Sequence, residues 1–183
     1  SSAILTDVSS SHNGVHGLDL QTGSAATITG SFASSENRVF GINVNGSSLT
    51  FSLATASMTG NAVGVQVATS GNAFLNDAKT ILKVNNNLAT GLTVVSGAHM
   101  VSFGGTINAS GNGINGVSLN SKAGLDLDAG SQLNLENNGT FAPGNGLLLQ
   151  EASVMTVFNI PQFSGVQGYS TVNSRANQGD GVA

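Results

Sequence analysis

The sequence predicts an all-β protein, a right-handed parallel β-helix (β-solenoid) of about six coils of 23–30 residues. Three observations predict it. Gly, Ser, Asn and Thr supply about 46% of the 183 residues, 25 of them Gly, a mixture poor in helix formers and rich in turn formers. A string of Gly followed by apolar–x–apolar recurs six times, at Gly17, Gly41, Gly64, Gly91, Gly116 and Gly146. An Asn precedes most of these glycines by three or four positions: Asn13, Asn37, Asn61, Asn87 and Asn112. Near-constant spacing of this kind marks a repeat architecture.

Each element of a coil follows in turn. The string beginning at the glycine alternates apolar and polar residues, so it forms a short strand with one apolar face. Stacked, these strands give an inward column of Leu18, Ile42, Val65, Leu92, Val117 and Leu147. A second alternating stretch follows a Gly/Ser turn, giving two or three strands per coil. Its inward column is expected to be Ile28, Phe51, Leu82, Val101 and Leu125. One coil cannot bury its apolar side alone, but stacked coils can, each strand pairing one repeat along at about 4.8 Å. Parallel crossovers are almost always right-handed. Asn at one turn position per coil can form a hydrogen-bonded ladder that satisfies turn backbone groups. The sixth copy departs, with Pro143 and Gly144 inserted after Asn138. Asn177 and Gly181 begin a further copy whose strand is Val182 and Ala183.

Composition excludes several functions. Five Lys+Arg and a net charge of −4 cannot make the basic footprint of a nucleic-acid binder. No apolar run approaches the roughly 18 residues of a membrane span. Zero Cys removes disulfides, thiol catalysis and cysteine metal sites. Ser1-Ser2-Ala3 has no basic residue and no initiator Met, so the sequence reads as a mature chain or a cut fragment: one domain over 1–183, part of a longer solenoid, with an irregular excursion at 160–176.

The pattern Asn-x-x-x-Gly-apolar-x-apolar, a Gly/Ser turn and a second alternating strand resembles the right-handed β-helix repeats of the pectin-lyase-like superfamily, over about residues 4–159. That resemblance implies an exported protein, similar to passenger domains of bacterial autotransporter adhesins, phage tailspikes or polysaccharide-degrading enzymes. A fold shared so widely does not transfer a function. The resemblance also implies what an enzyme would need: three clustered aspartates with His-Gly and Arg-x-Lys, or, in calcium-dependent lyases, several carboxylates with a catalytic Arg or Lys. Arg-x-Lys is absent, and His-Gly occurs only as His16-Gly17, on a repeat glycine. The basic residues are Arg38, Lys79, Lys83, Lys122 and Arg175.

The best acidic pair is Asp126 and Asp128, two apart on one outward strand face and roughly 6.5–7 Å apart between Cα atoms. Paired carboxylates serve glycoside hydrolysis, but the expected neighbours, Ser102 and Thr156, transfer no proton, so the pair reads as solvated surface. Residues 111–116 match G-x-G-x-x-G, yet a strand follows where the dinucleotide motif needs a helix. His12 and His16 have metal spacing only on a helix and here lie in a turn entering a strand. The Asn-x-Ser/Thr sites at Asn45, Asn108 and Asn138 are no more frequent than chance. Thr27, Thr29, Thr50 and Ser52 form an outward hydroxyl patch that Lys83 and Asp126 interrupt, against an ice-binding array. Two stretches look less regular: 70–87, with Asp77, Lys79 and Lys83, and 160–176, with Pro161, Phe163, Tyr169 and Arg175.

The expected object is an extracellular or cell-surface scaffold presenting an adhesion or carbohydrate-contacting surface. No catalytic, cofactor or metal residue is assigned and no cofactor is expected. The expected partner is a polysaccharide or cell-surface ligand, with no nucleic acid and no membrane insertion, and with end-to-end self-association. The alternative is a polysaccharide lyase or glycoside hydrolase whose site lies partly outside this sequence.

Overall fold

The computed structural model describes residues 1–158 and 169–183. Strands occupy β1 (Ser2–Ser11), β2 (His16–Gln21), β3 (Ala25–Ser35), β4 (Phe40–Asn45), β5 (Ser48–Thr59), β6 (Val63–Ala68), β7 (Asn72–Leu75), β8 (Ile81–Val84) and β9 (Thr90–Val95). They continue with β10 (His99–Phe103), β11 (Thr106–Ser110), β12 (Val117–Asn120), β13 (Gly124–Asp128), β14 (Gln132–Glu136), β15 (Leu147–Leu149), β16 (Val154–Val157) and β17 (Thr171–Arg175). No helix occurs among the described residues. Every strand pairing is parallel, and the chain winds as a β-solenoid of about five turns, close to the six coils expected.

Each coil has three walls. β1, β3 and β5 are long strands that bend once, at Asp7, Gly30 and Leu53, all with positive φ. From β7 onward the bend opens into a corner, and each long strand becomes two. The first wall is therefore the leading halves of β1, β3 and β5, then β7, β10, β13 and β16. The second is their trailing halves, then β8, β11, β14 and β17. The third is the separate six-stranded sheet β2-β4-β6-β9-β12-β15.

The third wall follows the glycine string residue for residue. Leu18 pairs with Ile42, Ile42 with Val65, Val65 with Leu92, Leu92 with Val117 and Val117 with Leu147. Leu147 then bridges to Val182. The four residues from Ile42 to Val117 are fully buried. Full burial of such side chains contributes roughly 1.5–3 kcal/mol each.

The second expected column does not hold. Ile28 and Phe51 do stack, but their line continues through Leu75, Ser102 and Leu127. Leu82 belongs to the second wall, beside Ala56 and Ile107. Leu125 stacks on Met100. Val101 faces outward, because β10 presents Met100 and Ser102 to the core. A slip of one residue exchanges the faces of a strand. Ser102 is tolerated inside because its hydroxyl donates to the Gly105 carbonyl at 3.2 Å, and its carbonyl accepts from Ser131 Oγ at 2.7 Å.

The two irregular stretches are also smaller than expected. Residues 70–87 contain the regular strands β7 and β8, and only 76–80 leave the coil. Thr171–Arg175 of the 160–176 stretch is strand β17, paired with β14. Pro161 and Phe163 lie outside the described residues.

Between the second and third walls runs the asparagine ladder. Asn13, Asn37, Asn61, Asn87, Asn112 and Asn138 each donate the backbone N–H and the Nδ2–H to Oδ1 of the next rung, at 2.8–3.2 Å, ending on Asn177. The residue before every rung has positive φ: His12, Glu36, Gly60, Asn86, Gly111, Asn137 and Ala176. That conformation turns the chain so that the following Asn points inward. The ladder also explains the repeat glycines. A Cβ on Gly64 would stand 2.5 Å from the Gly91 carbonyl oxygen and 2.8 Å from Asn87 Nδ2, and the same collision recurs at Gly41, Gly91, Gly116 and Gly146.

Two substitutions test this architecture. Asn87→Ala strands the buried N–H of Asn61 and should lower the unfolding free energy by about 1–3 kcal/mol in urea titrations. An unchanged midpoint would show that the ladder contributes nothing. Leu92→Asp buries an unpaired charge at a cost of several kcal/mol and should abolish the folded circular-dichroism spectrum; native-like melting would refute the inward assignment.

Candidate functional site

Outward chemistry concentrates on the first wall, on β7, β10 and β13. Because Met100, Ser102, Leu125 and Leu127 face the core, the alternate residues Val101, Phe103, Asp126 and Asp128 face out. The register sets Val101 between Phe74 and Asp126, and Phe103 beside Asp128. Phe103 is 43% exposed. His99 stands beside Gly124, and its Nε2 lies 3.0 Å from Asp126 Oδ2. The ring occupies the space of the absent side chain: a Cβ on Gly124 would collide with His99 Cδ2 and come within 2.9 Å of Nε2. Asp128 accepts the Ala129 N–H through Oδ1 at 2.8 Å.

This corrects the sequence-based view of Asp126. Thr156 is its neighbour on one side, as expected, but Val101 rather than Ser102 is the other. His99 supplies a proton-transfer partner that the sequence reading missed. The available signal was positional: with β10 in register, His99 stands opposite Gly124 and two residues from Asp126 on the adjacent strand.

The remaining candidates do not converge. His12 Nε2 pairs with Glu36 at 2.7 Å on the exposed edge. His16 instead stacks on Phe40, with centroids 4.9 Å apart and planes at 12°, and its Nδ1 is buried without a hydrogen bond. No group of three or more His, Asp or Glu among the described residues could hold a metal ion. The 111–116 stretch is used structurally, Asn112 as a buried rung and Gly116 as a repeat glycine. Asn138 is likewise a fully buried rung, Asn108 accepts from Asn134 Nδ2 at 2.8 Å, and Asn45 donates to Gln21 at 3.3 Å. Thr27, Thr29, Thr50 and Ser52 are partly exposed on β3 and β5, with Thr29 bonded to Thr6 at 2.7 Å. Lys83 faces outward on the second wall, and Arg175 sits there beside Glu136. Tyr169 is 63% exposed.

Two acidic residues secure corners. Asp7 Oδ1 accepts the backbone N–H and hydroxyl of Ser31, both at 2.9 Å, and those bonds, the backbone one foremost, hold its carboxyl below the ordinary value. Asp77 accepts the N–H of Leu53 at 2.6 Å, the Thr80 hydroxyl and the Lys79 N–H. Burial pushes the Asp77 carboxyl up, but these hydrogen bonds outweigh it and the net direction is down. Leu53 is a bulky residue at φ 50°, and the carboxylate satisfies the N–H which that bend turns away from the strand ladder.

Searches against protein-family profiles, curated proteins and solved structures returned no match for this chain.

Both carboxylates have a folded pKa below the unfolded value of about 3.8. Their contribution is therefore present above that value and lost as pH falls through the lower folded one. The Asp7→Ala/Asp77→Ala variant should melt below wild type at pH 7, with the gap closing toward pH 2. A gap independent of pH would refute the ionised role.

Proposed function

We propose that this chain is an extracellular or cell-surface β-solenoid scaffold that presents a carbohydrate-contacting surface and binds without turning its ligand over. The observation that carries the reading is the outer face of β10 and β13, where Phe103 lies beside Asp128 and Asp126 is held by His99. An exposed aromatic with a few fixed polar groups suits a sugar ring, which has an apolar face and a rim of hydroxyls. Elaborated corners at 76–80, 104–105 and 129–131 border the same wall, and insertions in a solenoid often mark its binding face. The repeat pattern's similarity to pectin-lyase-like β-helices supports export.

A second reading, a lyase or glycoside hydrolase, is favoured by the placement of His99 against Asp126, with Asp128 two residues on along the same outward face. The half-exposed Leu5, Val8 and Leu18 at one end of the stack, and Leu149 and Met155 at the other, support end-to-end stacking of copies, which light scattering over a concentration series would detect.

A soluble-polysaccharide panel, scored for binding and for released ends with and without calcium, tests the function. Retention without turnover is expected. Release of reducing or unsaturated ends would favour the enzyme, and absence of any binding would defeat the carbohydrate reading.

A further inference from the structure

We infer that the first wall binds a neutral, hydroxyl-rich polysaccharide and disfavours polyuronates, with Phe103 as the stacking platform and Asp126 and Asp128 as hydrogen-bond acceptors. The inference rests on the carbohydrate reading above and names the ligand's chemistry. Its basis is the donor and acceptor inventory of the face. Asp126 uses Oδ2 on His99 and Asp128 uses Oδ1 on the Ala129 N–H, so each carboxylate has a second oxygen that can only accept. Strands β7, β10 and β13 contain no Lys or Arg. Lys79 lies on the 76–80 corner and Lys122 on the turn before β13.

A face rich in acceptors requires a ligand rich in donors. Sugar hydroxyls donate to carboxylates in short, charge-assisted bonds. A uronate, sulfate or phosphate would bring acceptors and negative charge against Asp126 and Asp128, which raises the cost of docking. The apolar component fits the same ligand. Phe103, Phe74 and Val101 are outward and at least partly exposed, so a sugar ring can lie on the aromatic platform while its hydroxyls reach the next strand, about 4.8 Å away. Gly124 is required for this arrangement, since any side chain there would displace His99 from Asp126.

Affinity electrophoresis in gels containing hydroxyethyl cellulose or galactomannan, with polygalacturonate as the anionic probe, tests the inference. Wild type should be retarded by at least one neutral polymer and not by polygalacturonate. Phe103→Ala should weaken binding about tenfold. The near-isosteric Asp126→Asn/Asp128→Asn variant should weaken it several-fold, and Lys83→Ala on the second wall should leave it unchanged. Thermal melts confirm that each variant is folded, and the double Asn variant carries the test should Phe103→Ala melt early. Wild-type affinity in both face variants would place the site elsewhere while leaving carbohydrate binding intact. Tighter retention by polygalacturonate would overturn the acceptor argument. Retention by no polymer would sink the carbohydrate reading with it.

Discussion

The fold depends on one hydrogen-bonding arrangement, the amide of a turn asparagine placed on the backbone of the neighbouring coil. A solenoid corner carries peptide groups that no strand ladder reaches, and several here are buried. Unpaired, each would cost about 1–3 kcal/mol. From Asn37 onward each Oδ1 accepts the N–H of the rung before, and Asn61, Asn87, Asn138 and Asn177 also reach a second-wall carbonyl through Nδ2, as Asn87 reaches Met58 at 3.1 Å and Asn138 reaches Ala109 at 2.9 Å. The left-handed residue before each Asn and the bare glycine after it are consequences of fitting that amide inside. Three sequence features thus reduce to one requirement.

The three edges of the solenoid are under unequal constraint. The ladder edge keeps the same approach to every rung, even where 139–145 is inserted beyond Asn138. Among the described residues, the edge between the first and second walls has no such ladder. It turns at a single residue at Asp7, Gly30 and Leu53, and needs five residues at 76–80. Local devices secure it: Asp7 for Ser31, Asp77 for Leu53, and Ser131 for Gly104. An edge stabilised residue by residue can vary in length without disturbing its neighbours, and the exposed aromatic and acidic groups adjoin this edge.

Legibility in the sequence followed the same division. The glycine string marks the third wall, so the line from Leu18 to Leu147 could be aligned by eye, and the asparagines at fixed offset revealed the ladder. The first wall has no marker residue and its corners differ in length. Alternation alone then left β10 ambiguous by one position, since Val101 and Phe103 look more core-like than Met100 and Ser102. What decides is the Ser102 hydroxyl finding the Gly105 carbonyl, a contact between residues whose closeness depends on the corner itself. The same slip hid His99, which becomes a neighbour of Asp126 only once β10 is in register. The need for Gly at 124 was equally invisible, because it arises from a ring on another strand.

The ladder has a direction. Every rung donates toward the following coil and accepts from the preceding one, so the side-chain amides point the same way along the axis and can polarise one another as a chain. Defects inherit that sense. When a rung is lost, the coil before it is left with unpaired donors, while the next rung's Oδ1 can still take the backbone N–H of the substituted residue. Damage therefore spreads toward the N-terminus, and the stack is chemically unsymmetrical between its two ends even though its repeats look alike.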